Sequence, residues 1–422
     1  MSSASALRTV SDREYLRNAW KEISKKNKRS KGLDNVTIKA FKDHLDENLS
    51  QISSELRTNT YQFNKLRAHA INKPGSKKQR PLQIATVRDR VVMKALAVFI
   101  EPAFQPFNQD CSFAFIKDRG VNRAIKRIQE LVAQGNRFYF EADIMDFFGS
   151  VDRPDLWKKF SRTVRHKSLL GLLERCFNLE LQDLQGYEPE FQSLFFGADS
   201  GIPQGGVLSA MLANFYLYEF DRSMLEHRFN LVRYADDFVV MCESRERAKE
   251  AHDLSKATLE SLELNIHPLG PESKSRIGDF SKEGLMFLGL RFEGRDVFPA
   301  KKVITRFEGK VEEVLKPSSG ESLFKTLQRL TNLINGWGKC YKAMRVTDIY
   351  LRLDESIKNS VEKYLRGMGI QLVGKNKRRP MKLFGIPSLA AMVEHTRRPS
   401  PSAPPVGTPR RNSAEPTSSA SP

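Results

Sequence analysis

The chain has 422 residues, too many for one small core and enough for two or three subdomains that share one. Hydrophobic residues make up 40% and charged residues 28%, so most of it should fold, and 69 Lys and Arg against 50 Asp and Glu leave +19, a surplus that a polyanion such as nucleic acid would offset. Cys111, Cys176, Cys242 and Cys340 lie far apart, which excludes a CxxC zinc ribbon or a disulfide framework and fits a reducing cytoplasm; Met1 to Asp12 lacks the apolar core of a signal peptide, and no apolar run is long enough to span a bilayer.

From the N-terminus, Ser11 to Arg29 is predicted as a basic helix, because Leu16, Trp20 and Ile23 recur on one face. Gly32-Leu33-Asp34-Asn35 signals a turn, and Thr37 to Leu56 a single long helix striped by Ile38, Phe41, Leu45, Leu49 and Ile52. Lys65 to Arg90 carries Lys65, Arg67, Lys73, Lys77, Lys78, Arg80, Arg88 and Arg90 around a Pro74-Gly75 turn; it predicts a two-stranded basic ribbon leading into a helix from about Asp89 to Phe99. A helix over Arg123 to Gln134, an apolar strand over Asn136 to Ile144 and a mainly helical stretch over Asp155 to Leu181 follow. Gly201 to Arg222 opens as a Gly-rich loop and becomes an apolar helix.

Leu231 to Cys242 predicts a hairpin, strand LVRY and strand DFVVMC joined at Ala235-Asp236, before a helix over Ser244 to Leu262 and a strand over Leu285 to Phe292. Val303 to Leu365 reads as helices that Gly336-Trp337-Gly338 interrupts, and Arg397 to Pro422, rich in Pro, Ser and Thr, as a disordered tail.

Acids at the ends of apolar strands carry the chemistry. Asp143 closes FYFEAD, and Asp236 and Asp237 lie between Leu231, Val232 and Tyr234 on one side and Phe238, Val239, Val240 and Met241 on the other. Paired acids at a hairpin tip are ordinarily a solvated turn. Between flanks this apolar they are costly unless a cation meets them. Two divalent ions about 4 Å apart, of the kind that activate a hydroxyl and hold a triphosphate, need hard oxygen ligands on rigid strands.

YADD inside VRYADDFVV resembles the central motif of reverse transcriptases, and the flanking motifs occur in the order found in group II intron-encoded members. KPGSKKQRPLQIATVRDRVV is similar to their fingers motif, ADIMDFF to their first metal motif and GIPQGGVLSAMLANFYL to their template-and-nucleotide motif. MFLGL resembles their primer grip, LINGWGKCY the start of their thumb and GLDNVTIKAF their upstream motif, so the likeness runs from about residue 15 to about 370. It implies an α+β right-hand polymerase, with an antiparallel palm sheet and a helical thumb. Residues 1–110 would be N-terminal helices and fingers, and 111–295 palm with a helical fingers insertion at 155–195. Residues 296–396 would be thumb and C-terminal region, and 397–422 the tail.

The same resemblance implies the site. Asp143, Asp236 and Asp237 would be catalytic and, with the Ile144 carbonyl, would hold two Mg²⁺ ions, or Mn²⁺. Lys73, Arg80, Gln204 and Gly205 would contact the incoming dNTP, Lys274 would assist pyrophosphate departure, and Phe148 would exclude a ribose 2′-hydroxyl. Tyr234, Phe287, Leu288 and Gly289 would bear on primer and template. The implied activity is RNA-directed DNA synthesis, with template RNA, dNTPs and the cDNA product as partners. Ser209-Ala210 replaces the usual Ser-Pro, and neither a Cys/His nuclease cluster, an RNase H-like acidic cluster nor the retron VTG and NAxxH signatures occur. This pattern resembles free-standing, defence-associated bacterial reverse transcriptases that copy a dedicated structured non-coding RNA. Template-independent DNA synthesis on the same palm and a maturase-type role in splicing are the alternatives.

Overall fold

The computed structural model describes residues 3–25, 30–72, 78–197, 200–270, 273–316, 321–341, 344, 346–371 and 380–397. Lys73, the Pro74-Gly75 turn and the tail beyond Arg397 lie outside the described residues. The chain divides into two units, Met1–Arg295 and Asp296–Pro422.

In the first unit, Asp12 separates α1 (Ser3–Val10) from α2 (Arg13–Ser24), because its carboxylate caps α2 by accepting from the Glu14 and Tyr15 N–H groups at 3.0 Å. The helix expected over Thr37 to Leu56 breaks at His44 into α3 (Ile38–Asp43) and α4 (Leu45–Arg57), with the Asn48 amide donating back to the Phe41 carbonyl across the break. The basic ribbon is β1 (Arg67–Asn72) paired antiparallel with β2 (Gln79–Ile84). It enters α5 (Val87–Phe104) through Thr86 and the fully buried Asp89. That carboxylate accepts from Tyr61 Oη, Thr86 Oγ1 and the backbone and side chain of Asn64, at 2.6 to 3.1 Å. A buried charge so fully bonded is affordable, and it fixes where the ribbon leaves the helices.

Next come α6 (Val121–Ala133), β3 (Phe138–Asp143), α7 (Phe147–Ser150), α8 (Arg153–Thr163), α9 (Lys167–Phe177), α10 (Pro189–Ser193), α11 (Ser209–Tyr216) and α12 (Tyr218–Glu226). Then follow β4 (Asn230–Tyr234), β5 (Asp237–Cys242), α13 (Arg245–Glu260), β6 (Arg276–Asp279), α14 (Phe280–Glu283), β7 (Leu285–Phe287) and β8 (Leu290–Glu293). The main sheet has the order β4-β5-β3-β6, every neighbouring pair antiparallel. Helices α6, α12 and α13 pack on it, with Phe140, Phe220 and Phe238 in ring contact in its core. The strand expected at Leu285 to Phe292 is instead the β7–β8 hairpin, turned at Leu288 and Gly289, both with positive φ.

The second unit holds β9 (Asp296–Pro299), α15 (Lys301–Val314), α16 (Leu323–Tyr341), α17 (Thr347–Gly367), α18 (Pro380–Leu383) and α19 (Leu389–Arg397). Contrary to expectation, α16 runs unbroken through Gly336-Trp337-Gly338. Gly338 serves packing: a Cβ there would lie 2.4 Å from Met392 Sδ. Trp337 stacks on Phe307 at 4.6 Å. Asp354 of α17 caps α19, accepting from the Leu389 and Ala390 N–H groups and Ser388 Oγ. Among the described residues no helix is long and apolar enough to cross a membrane.

Candidate active site

Asp143, the last residue of β3, stands opposite Asp237, the first of β5. Asp236 lies in the two-residue turn between β4 and β5, where Ala235 takes φ +60°, a left-handed conformation a residue with Cβ adopts only when held there. The chain leaving Asp143 stays beside that turn, since the Ile144 N–H donates to the Asp236 carbonyl at 3.2 Å. Met145 N–H donates to Asn265, and His267 N–H to the Asp143 carbonyl, so neither bond uses the Ile144 carbonyl.

Burial, then the hydrogen bond and charge of Asp143, then the charge of Asp236 push the Asp237 carboxyl up to about 8. Burial chiefly raises Asp236 as well; Asp143 adds to the rise, while Lys274 and Arg80 pull it back. Lys274 Nζ bonds Asp143 Oδ2, and His267 Nε2 lies 3.4 Å from the same oxygen. Among the described residues no three His, Cys, Asp or Glu side chains are already gathered as a metal cage, and the Asp143 carboxylate is committed to Lys274 and His267. The donor set nevertheless fits a hard divalent cation. Three carboxylates share one end of the sheet, and the upward shifts of two arise first from burial and then from mutual repulsion, the part a cation would relieve.

Around the acids, Arg80 is an exposed residue of β2 whose charge reaches Asp236. Phe147 is buried at 2% exposure, whereas Phe148 is only half-buried. The Phe148 carbonyl accepts from Ile202 N–H at 2.7 Å, and a Cβ on Gly201 would fall 2.0 Å from that oxygen. The Gln204 carbonyl accepts from Gln83 N–H at 3.0 Å, which ties the glycine loop to β2, and Gly205 takes φ +93°. Tyr234 is half-buried beside the turn. Phe287, Leu288 and Gly289 belong to the β7–β8 hairpin, which is not part of the main sheet. A cavity of about 1010 Å³ opens between the ribbon and the glycine loop, lined among others by Arg67, His69, Lys94, Phe115 and Gly205.

Two features escaped the reading of the residues. His267 reaches Asp143 only through the fold, so its signal is not local. Arg233 is 0% exposed within β4 and pairs with the equally buried Asp221 of α12. A charge in a strand buried on both faces must have a partner, and that was the available signal. Burial lowers the Arg233 guanidinium and Asp221 raises it; the net direction is upward, so it stays protonated. Burial also pushes the Asp221 carboxyl up, but two bonds from a guanidinium serve the carboxylate form.

A four-stranded antiparallel sheet backed by helices, with three carboxylates at the end of its central strand pair, defines a right-hand polymerase palm. The reverse transcriptase (RNA-dependent DNA polymerase) family matches residues 71–292, more than half of the chain, and the chain belongs to that family. Family members use divalent metal ions. The group II intron-encoded protein LtrA of Lactococcus lactis subsp. cremoris is 30% identical over 221 residues, covering 50% of this chain but only 33% of that protein. Protein YkfC of Escherichia coli strain K12 is 27% identical over 326 residues, 68% of this chain and 82% of YkfC. The retron Ec73 reverse transcriptase of Escherichia coli is 27% identical over 180 residues, 40% and 50% of the two chains.

Proposed function

We propose that the chain is an RNA-directed DNA polymerase that extends a primer by transferring nucleotidyl groups from dNTPs, with Asp143, Asp236 and Asp237 at its centre. The observation that carries this reading is the register that sets Asp143 against Asp237 with Asp236 at the adjoining turn. Bound divalent ions, Mg²⁺ or Mn²⁺, would lower the pKa of the primer hydroxyl and neutralise the triphosphate. The three carboxylates and the Ile144 carbonyl would hold them. Arg80, with Lys73, would grip the triphosphate and offset charge on the leaving group. Lys274 would hold a proton for the departing pyrophosphate. Gln204 and Gly205 would orient the nucleotide against the template, and Phe148 would close the space at its C2′.

Tyr234 would support the primer terminus, and the Phe287-Leu288-Gly289 turn would hold the primer strand. Residues 1–110 would act as fingers, 111–295 as palm with a fingers insertion at 155–195, and 296–396 as thumb. The template would be a dedicated structured non-coding RNA and the setting bacterial antiphage defence, a reading supported by the motif pattern alone.

Primer extension on a defined RNA template tests the core claim: product sequence should follow the template. Extension that ignores added RNA would favour template-independent synthesis. Sequencing the RNA and DNA that co-purify with the protein tests the finer claim; random cellular RNA without matching cDNA would overturn a dedicated template.

A further inference from the structure

Arg233 spends its donors on three segments. Nε and Nη2 bond the two Asp221 oxygens at 2.6 and 2.5 Å. Nη1 donates to Asn214 Oδ1 of α11 at 3.2 Å and to the Ala235 carbonyl at 3.0 Å. Asn214 is itself held, donating to the Ala114 carbonyl at 3.0 Å and accepting from Ser112 Oγ. The backbone of Arg233 is pinned on the same side, its N–H to the Cys111 carbonyl at 2.8 Å and its carbonyl by the Phe113 N–H at 2.9 Å.

A buried ion pair is a poor source of stability, because desolvation offsets most of the attraction and an apolar pair of like volume does as well. What an apolar pair cannot do is reach a carbonyl. The rigid guanidinium fork can, and the carbonyl it reaches belongs to Ala235, the residue in left-handed conformation immediately before Asp236. The two carbonyls flanking the Asp236 Cα are therefore both bonded, that of Ala235 to Arg233 and that of Asp236 to the Ile144 N–H.

We propose that Arg233, clamped by Asp221 and Asn214, is a positioning residue that sets the angle at which the β4–β5 turn presents Asp236 to the divalent cation. This rests on the catalytic reading of Asp236 given above. Arg233 touches neither substrate nor reacting atoms; it acts through the Ala235 peptide.

The test compares Arg233→Met combined with Asp221→Leu, which replaces the pair by apolar side chains, with wild type in single-turnover dNTP incorporation across a Mg²⁺ titration. The double variant should melt close to wild type, yet its maximal rate should fall about tenfold and its half-saturating Mg²⁺ rise several-fold, while template–primer affinity is unchanged. A merely structural pair predicts that rate recovers with stability. A stable double variant with wild-type rate, or a slower one with unchanged Mg²⁺ requirement, overturns the proposal. Should the double variant fail to fold, Arg233→Lys keeps the charge beside Asp221 and loses the fork. It should fold and show the same raised Mg²⁺ requirement, and wild-type Mg²⁺ dependence in it overturns the proposal equally. Asp236→Asn is the control: synthesis surviving in that variant would refute the catalytic reading rather than the positioning role.

Discussion

The molecule uses two hairpins in opposite ways. The β4–β5 hairpin is buried along nearly its whole length and exposes its charges only at the tip, where burial and mutual repulsion raise the Asp236 carboxyl and push that of Asp237 up to about 8. The β1–β2 ribbon is largely solvated, and its Arg80 stands in water. The acids at the tip are crowded together on a low-dielectric scaffold, which makes their charged forms costly and would favour a bound cation. On the proposed reading, the ribbon charge that would grip the triphosphate sits on a wet edge, where rearrangement is cheap. The difference predicts that substitutions in the buried hairpin act on the chemical step, and those on the ribbon on substrate capture.

The sharpest way to break the comparison is Asp236→Ala with Asp237→Ala. Incorporation should fall by at least about a thousandfold at any dNTP concentration, since several kcal/mol of charge stabilisation would be lost. The metal-free melting temperature should hold or rise, because like charges have been removed. Near-wild-type synthesis would show that the paired acids are not the chemical centre.

The boundary between dry and wet runs between Phe147 and Phe148. Phe148→Val should improve rNTP use relative to dNTP by roughly a hundredfold, about 3 kcal/mol. Phe147→Val should chiefly lower stability, by about 1–3 kcal/mol, with little change in sugar choice. Single-nucleotide incorporation and thermal melting on both variants distinguish them; the reverse pattern would move the sugar contact to Phe147.

On the ribbon, Arg80→Ala should raise KM for dNTP about tenfold while the rate at saturation falls less. An equal fall in kcat and kcat/KM would place Arg80 with the buried group instead. The smallest effect is on stability against pH. Because the Asp237 carboxyl lies near 8 in the folded chain and near 4 unfolded, its charging penalty is absent below about pH 4 and complete above about pH 8. The metal-free protein should therefore lose about several degrees of melting temperature as pH rises across that window. Asp237→Asn should flatten the slope, and an unchanged slope in that variant would show that another group carries it.

How much was legible in the sequence follows the same division. LVRY, Ala235-Asp236 and DFVVMC read as a hairpin because flanks so largely apolar leave a strand little choice. The break at His44 could not be read, since no Pro or Gly marks it and the Asn48 amide that bridges to Phe41 acts through space. Gly336 and Gly338 were mistaken for an interruption; Gly338 is there because Met392, distant in sequence, packs against it. Arg233 was passed over because a survey of apolar flanks counts Leu231, Val232 and Tyr234 and skips the charge between them. His267 is set against Asp143 by tertiary folding alone.

Gly201 lies so close under the Phe148 carbonyl that even a methyl group would collide with the backbone there. For enzyme engineering this divides the neighbourhood of Phe148 into a tunable and a closed part. Libraries at Phe148 can vary ring, branch and length while its main chain keeps its place. Libraries at position 201 would dislodge α7 from the glycine loop and yield few active clones. If Phe148 faces the nucleotide sugar as proposed, a search for polymerases that accept altered sugars belongs at the side chain of 148, with Gly201 left untouched.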